Sequence, residues 1–451
     1  MPFARLRTIL ALLLLLALFP RPQARAYSLL THEQLVDLAW QDSIVPLLLS
    51  RYPGLTPAQL DEARAYAYGG CVIQDIGYYP FGDQNFSDLT HYVRTGDFVL
   101  NLFRNATNAD EEAFAIGALS HYVGDTIGHA QATNRAVAIE FPKLRAKYGD
   151  VVNYAEGRHP HVQTEFAFDI NEIVHHRVAP AHYLSHIGLM VPTHQLGLAY
   201  FQTYGVTEDF NRRGIRLNVR DYRFAVRSFI PRIAYAVTLL HRKHEPIEPQ
   251  SPERIEMDKE TAELAIDNNW QAYRRRAGIG TWSLACFLFI VPKFGPLKLV
   301  DIKGPTQATE VDYLHSVVLS ETLFRRRLVN FTPPGNTSQA QAERTSPSSH
   351  PLPNRDLDTG AVVKPGGYSL TDSTYADLLH RLTQTPKDPI PPGIKEDVLA
   401  YYSDPNAPIT TKKNPAAWAQ VQADLVIFAT LPTSTEPEPF PTYGEDPDPQ
   451  P

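Results

Sequence analysis

The chain has 451 residues, 43% of them hydrophobic, enough to bury a large core without covalent staples. Its two cysteines, Cys71 and Cys286, permit at most one internal bridge and exclude a disulfide-stapled scaffold. The 49 acidic residues outnumber the 42 basic ones, a balance that excludes general nucleic-acid binding by charge but leaves room for a local cationic site built by bound metal ions.

Residues 1–26 carry Arg5 and Arg7, the apolar run "ILALLLLLALF" from Ile9 to Phe19, and then Ala24-Arg25-Ala26, the pattern of a secretory peptide with an A-x-A cleavage signal. The run has eleven residues, whereas a membrane span needs roughly 20. The expectation is cleavage after Ala26 and a secreted or periplasmic protein. Cleavage removes four arginines and no acids, which takes the net charge from −7 to −11. Tyr27 then becomes the first residue and His32 the sixth.

From Thr31 to about His244 the apolar spacing is helical, and "DEEAFAIGALSHYVGDTIGHA" holds it too long for a strand. No alternating run with hairpin signals interrupts it, so the expected class is all-α. "HRKHEPIEPQSPERIE", His241 to Glu256, is polar and proline-bearing and reads as a surface connection, with helical patterns resuming near Lys259. "WSLACFLFIVP", Trp282 to Pro292, is too short to span a bilayer and reads as a buried core helix. Asn330 to Pro353 reads as a long mobile loop and residues 431–451 as a disordered proline-rich tail, while "TDSTYADLLHRL" and "AAWAQVQADLVIFATL" return to helix. The expected organisation is a leader (1–26), a helical domain (27–244), a C-terminal helical region (259–430) that packs on it, and the tail.

Eleven of the sixteen histidines lie between His32 and His194. In "ALSHYVGDTIGHA", His121, Asp125 and His129 follow at four-residue steps and share a helix face, the convergence that a metal ion needs. The apolar neighbours of that face fit an ordinary core-to-surface boundary equally well. "GRHPHVQTEFAF" holds a second pair, His161 and Glu165, and imidazole with carboxylate is a natural zinc donor set. Neither segment has the H-E-x-x-H pattern of zinc peptidases. Between them and the N-terminus, Asp75 and His91 flank a loop rich in Gly, Pro and aromatic residues that can bring an acid and an imidazole into one cleft.

The ordered set His32, Asp75, His91, His121-x-x-x-Asp125, His129, His161-x-x-x-Glu165 resembles the secreted zinc-dependent phospholipases C of bacteria. The same plan is shared by glycosylphosphatidylinositol-specific phospholipase D and, more distantly, the single-strand-specific nucleases. The resemblance covers about Tyr27 to His244 and implies an all-helical domain with up to three zinc ions. It implies that the Tyr27 amino group and carbonyl hold one zinc with His32, that His91 and His121 hold a second, and that Asp125 bridges the two. It makes Asp75 a ligand or general base beside them, and gives His129, His161 and Glu165 the third ion. In the better-known relatives the histidine after the bridging aspartate comes six residues later rather than four, which leaves His159 as an alternative to His129. Isoleucine at 76 stands where one subgroup has an aromatic choline-binding residue, with Tyr78, Tyr79 and Phe81 close by.

Hydrolysis of a phospholipid in phospholipase C manner, with peripheral contact to a membrane surface, is the activity implied. A nuclease or phospholipase D-like hydrolase on the same scaffold, or a non-catalytic zinc-binding envelope protein, is the alternative; nucleic acid is a substrate only under that alternative.

Overall fold

A computed structural model describes residues 29–78, 82–208, 210, 235–236, 239, 250–275, 278–290, 305–331, 352–384, 389–391 and 393–434. The leader, Tyr27, Tyr79, Phe81, most of the Asn330 to Pro353 segment and the tail from 435 onward lie outside the described residues. Among the described residues there is no β-strand, only two isolated bridges, Arg355 with Val362 and Ile390 with Thr433.

The first half comprises α1 (Leu29–Ala39), α2 (Val45–Arg51), α3 (Pro57–Gly70), α4 (Gln84–Tyr92), α5 (Thr95–Asn105), α6 (Ala109–Gly128), α7 (Asn134–Glu140), α8 (Pro142–Tyr148), α9 (Arg158–Val174), α10 (Ala181–Ile187) and α11 (Thr193–Tyr204). The second comprises α12 (Pro252–Asp267), α13 (Trp270–Tyr273), α14 (Ile279–Ile290), α15 (Gln307–Phe331), α16 (Ser369–Thr383), α17 (Ile394–Tyr401) and α18 (Pro415–Thr430).

Helix α6 is the axis of the fold. Asn108 caps it through its side chain, which accepts from the Asp110 and Glu111 amides, and the acids at 110, 111 and 112 complement the positive helix N-terminus. Beyond that first turn it is mostly apolar and small-residue-rich, apart from the face that carries His121 and Asp125, and it is buried by α1, α2, α3, α5 and α15. Helix α3 begins with Pro57 and a Thr56/Gln59 capping box and lies closest to α6. A Cβ on Gly70 would stand 2.0 Å from the Phe114 carbonyl oxygen and one on Gly117 2.1 Å from that of Ala67, so the two backbones touch where glycine is present on both sides.

Helix α1 is buried along its whole length, polar residues included. Asp169 of α9 fastens its start by accepting from the Leu30 amide (3.0 Å), the Thr31 amide (3.1 Å) and the Thr31 hydroxyl (2.9 Å). The Thr31 hydroxyl also meets the Tyr313 hydroxyl of α15 at 2.9 Å. One buried apolar cluster draws on α1, α3, α4, α5 and α6 together with Phe324, Leu328, Tyr375, Leu378, Val398 and Phe428 from the second half.

Two elements depart from the sequence expectation. The helix expected near Lys259 begins at Pro252, because Ser251 caps it by accepting from the Arg254 amide and proline fits the first turn. The Trp282 to Pro292 run is helical through Ile290 but is not buried all round. Ala285 and Leu288 pack with Ala167 and Ile170, while Trp282 and Ile290 are 47% and 77% exposed. No helix among the described residues is long and apolar enough to cross a membrane. Both cysteines are free, Cys71 buried and Cys286 exposed.

Candidate metal centre

Helices α1, α4 and α6 and the 3-10 turn Gln74–Gly77 bring His32, Asp75, His91, His121 and Asp125 into one buried cluster. Asp125 presents Oδ1 to His32 Nε2 at 3.2 Å, and Oδ2 to His121 Nε2 at 3.1 Å and His91 Nε2 at 3.4 Å. Asp75 Oδ1 lies 3.3 Å from His91 Nε2, and the His91 and His121 Nε2 atoms are 3.4 Å apart. The donors fall into two groups able to hold an ion, His32–His121–Asp125 and Asp75–His91–His121. The two groups share His121, and Asp125 of the first reaches His91 of the second through Oδ2.

The donor set fits metal ions on chemical grounds. His121 Nδ1 lies 2.9 Å from the Cys71 carbonyl and His91 Nδ1 2.7 Å from the Ser87 carbonyl. A carbonyl only accepts, so each Nδ1 carries the proton and each Nε2 turns a lone pair into the cluster. Two lone pairs and two carboxylates facing one another in a buried space repel unless a cation lies between them. Both Asp125 oxygens and Asp75 Oδ1 are buried, and none of their contacts has hydrogen-bond geometry. Charge-assisted hydrogen bonds would draw such atoms to about 2.7–2.9 Å. Donors about 2.0–2.1 Å from a tetrahedral zinc ion stand about 3.3 Å apart, close to the separations here.

The electrostatics point the same way. Burial opposes charge on Asp125, yet His121, His32 and His91 together hold its carboxyl well below the usual carboxylate range. Burial also opposes charge on His91, but Asp125 and Asp75 outweigh it and push that imidazole up to about 10. Burial, then the neighbouring His121, lowers His32 against the pull of Asp125 and favours the neutral imidazole that a metal requires. The cluster demands positive charge, as protons or as metal.

The third group is His129, His161 and Glu165. Helix α6 ends at Gly128, where the π-helical turn His129–Thr133 follows, and His129 stacks on His161 of α9 with ring centroids 4.9 Å apart. The His129 amide still donates to the Asp125 carbonyl, so the four-residue helical step from Asp125 to His129 holds and the wider turn begins beyond it. His161 Nδ1 lies 2.8 Å from Glu165 Oε1, one helical turn away. On the other edge of the ring, His161 Nε2 donates to Asn134 Oδ1 at 2.8 Å. With its proton committed to Asn134, His161 also presents a lone pair at Nδ1. His159, the alternative third-site residue, is exposed.

Other aromatic and polar neighbours divide in the same plain way. Of the aromatic residues expected near Asp75, Tyr78 stands with its ring 5.2 Å from that of His91. Four supporting groups carry no sequence motif: the Cys71 carbonyl, Asn134, Asp169 and Asp358. Asp169 alone left a signal, since it follows Glu165 by four and continues the His161–Glu165 face. Asp358 comes from the second half of the chain and reaches within 3.9 Å of His129 Nε2.

The family described as zinc dependent phospholipase C matches this chain over residues 31–205. The match covers 175 of the 451 residues, all in the first half of the chain. It contains all three candidate metal groups, whereas Tyr27 and Asp358 fall outside it. No curated protein and no solved structure matches the chain.

Proposed function

We propose that the protein is an exported zinc-dependent phosphodiesterase that hydrolyses phospholipids between glycerol and phosphate. The observation that carries this reading is the convergence of three buried His/Asp/Glu groups within the span that matches the zinc-dependent phospholipase C family. Bound zinc would supply Lewis acidity toward the phosphate oxygens and bring the pKa of a water toward about 7.

The chain's own residues do the rest. His32, His91, His121 and Asp125 hold two ions, with the Tyr27 amino group and carbonyl completing the first after removal of residues 1–26. His129, His161 and Glu165 hold the third. Asp75, beside the first cluster, takes a proton from the attacking water as general base. The water oxygen bonds to phosphorus, the bond from phosphorus to the glycerol oxygen breaks, and the proton passes to that oxygen. The products are diacylglycerol and the phosphorylated head group.

One preparation decides the matter when its metal content is counted and its hydrolysis of phosphatidylcholine, single-stranded DNA and a generic phosphodiester is measured before and after chelation. Diacylglycerol release that chelation abolishes is expected. Preferential DNA cleavage would make the protein a nuclease, phosphatidic acid as product would make it phospholipase D-like, and bound zinc with no turnover would make it a non-catalytic zinc binder.

A further inference from the structure

The segment from Leu352 to Val363 crosses the metal domain although it lies nearly 150 residues beyond the matched span. The Leu357 amide donates to the His91 carbonyl at 3.0 Å, and the Tyr122 hydroxyl donates to the Pro353 carbonyl at 2.6 Å. Gly360, at φ +71°, lies so close to α6 that a Cβ would stand 2.4 Å from the Thr126 carbonyl oxygen. The backbone is thereby held against the helix that carries His121 and Asp125.

At the centre of this segment Asp358 is fully buried. Its Oδ2 accepts from the hydroxyls of Tyr92 (2.8 Å) and Tyr368 (2.6 Å), which fixes the carboxylate plane and directs Oδ1 toward His129 Nε2, 3.9 Å away. That separation exceeds a hydrogen bond; Asp358 thus stands at the edge of the His129–His161–Glu165 group and approaches it through His129. Asn134 ties the two together: its Nδ2 donates to the Asp358 carbonyl at 2.8 Å while its Oδ1 accepts from His161 Nε2.

We propose that Asp358 is a ligand of the third metal ion, so that the C-terminal region completes a site that the phospholipase C domain leaves with three donors. This rests on the reading of His129, His161 and Glu165 as a zinc site. Two imidazoles and two carboxylates make a neutralising, four-donor set for a divalent ion, the closed arrangement typical of structural zinc rather than of a catalytic ion with an open position. The third ion would then lock the C-terminal segment to the domain.

The test compares wild type, Asp358→Asn and Glu165→Gln by zinc count during dialysis against graded chelator, and by melting temperature with and without added zinc. Asp358→Asn is expected to release one ion at chelator strengths at least about 10-fold lower than wild type and to show a smaller zinc-induced rise in melting temperature. Its metal-free form should melt no lower than metal-free wild type, since the substitution removes a buried charge. If Glu165→Gln loses the ion while Asp358→Asn keeps it with an unchanged zinc-induced rise, Asp358 is a structural residue and the proposal fails although the third site stands. If wild type never holds a third ion, both readings fail together. Anomalous scattering from the zinc-loaded wild-type crystal decides the point without any substitution: an Asp358 oxygen within about 2.2 Å of the third ion supports it, and a water there overturns it.

Discussion

Asp125 turns its two oxygens toward different histidines, so replacing one oxygen by an amide nitrogen removes a donor from one group and the charge from both. Asp125→Asn is expected to abolish phosphodiesterase activity and to lower zinc content by more than one ion, measured by elemental analysis after gel filtration. Loss of a single ion would reduce Asp125 to an ordinary ligand. Asp75→Asn should behave differently: with three ions retained, turnover should fall on the order of 10²- to 10⁴-fold, the usual worth of a general base. Zinc loss in step with activity would make Asp75 a ligand instead. At this scale the residue types and spacings were readable, because imidazoles and carboxylates one helical turn apart announce a shared face. The residues that orient them were not. Asn134 is one asparagine among many, the Cys71 carbonyl has no side-chain signature, and Asp358 sits in "PNRDLDTG", a string that reads as a turn.

Helices α3 and α6 show how an element's placement becomes chemistry. Gly117 lets the α3 backbone close on α6, and that closeness brings the Cys71 carbonyl within 2.9 Å of His121 Nδ1. A methyl group at 117 would also meet the Cys71 amide nitrogen at 2.7 Å, so α3 must shift. Gly117→Ala is expected to cost about 1–3 kcal/mol in urea denaturation and to weaken the two-ion cluster that contains His121 while sparing the third ion. Asp169→Asn tests the other anchor. Its amide group would face the Leu30 or Thr31 donors, so α1 should loosen at its start, with about 2 kcal/mol lost and zinc lost first from the group containing His32. Equal weakening at all three groups would show that Asp169 supports the fold generally rather than His32. Helix periodicity revealed α6 and α9, but not the π-helical turn at His129. That turn lies against α15, from the second half of the chain, a contact that no local pattern encodes.

For the whole molecule, the metal groups join α1, α4, α6 and α9 across a core that the second half of the chain also helps to build. The all-helical class was legible because apolar stripes repeat along the sequence; the crossing of the C-terminal segment over the centre was not, because it is made by backbone and single polar contacts. This arrangement predicts opposite pH dependences for the two forms. In chelated protein His91 carries a proton, with its pKa raised to about 10 by Asp125 and Asp75 against the effect of burial. A raised folded pKa stabilises fully below the unfolded value of about 6.5 and is lost as pH rises through the folded value. The His91 contribution to chelated protein should therefore decline between about pH 6.5 and 10. Zinc requires the same imidazole deprotonated, so the stabilisation added by zinc should shrink as pH falls, and zinc uptake at pH 7 should release protons to the buffer. Melting temperatures with zinc and with chelator, taken from pH 6 to 9, together with calorimetric zinc titrations in buffers of different ionisation enthalpy, check both slopes. His91→Gln supplies the control: it should flatten the chelated curve and remove one proton from the count. A chelated protein whose stability rises with pH just as steeply in wild type and in His91→Gln would show that His91 is neutral without metal, and that the cluster is held together by something other than its demand for positive charge.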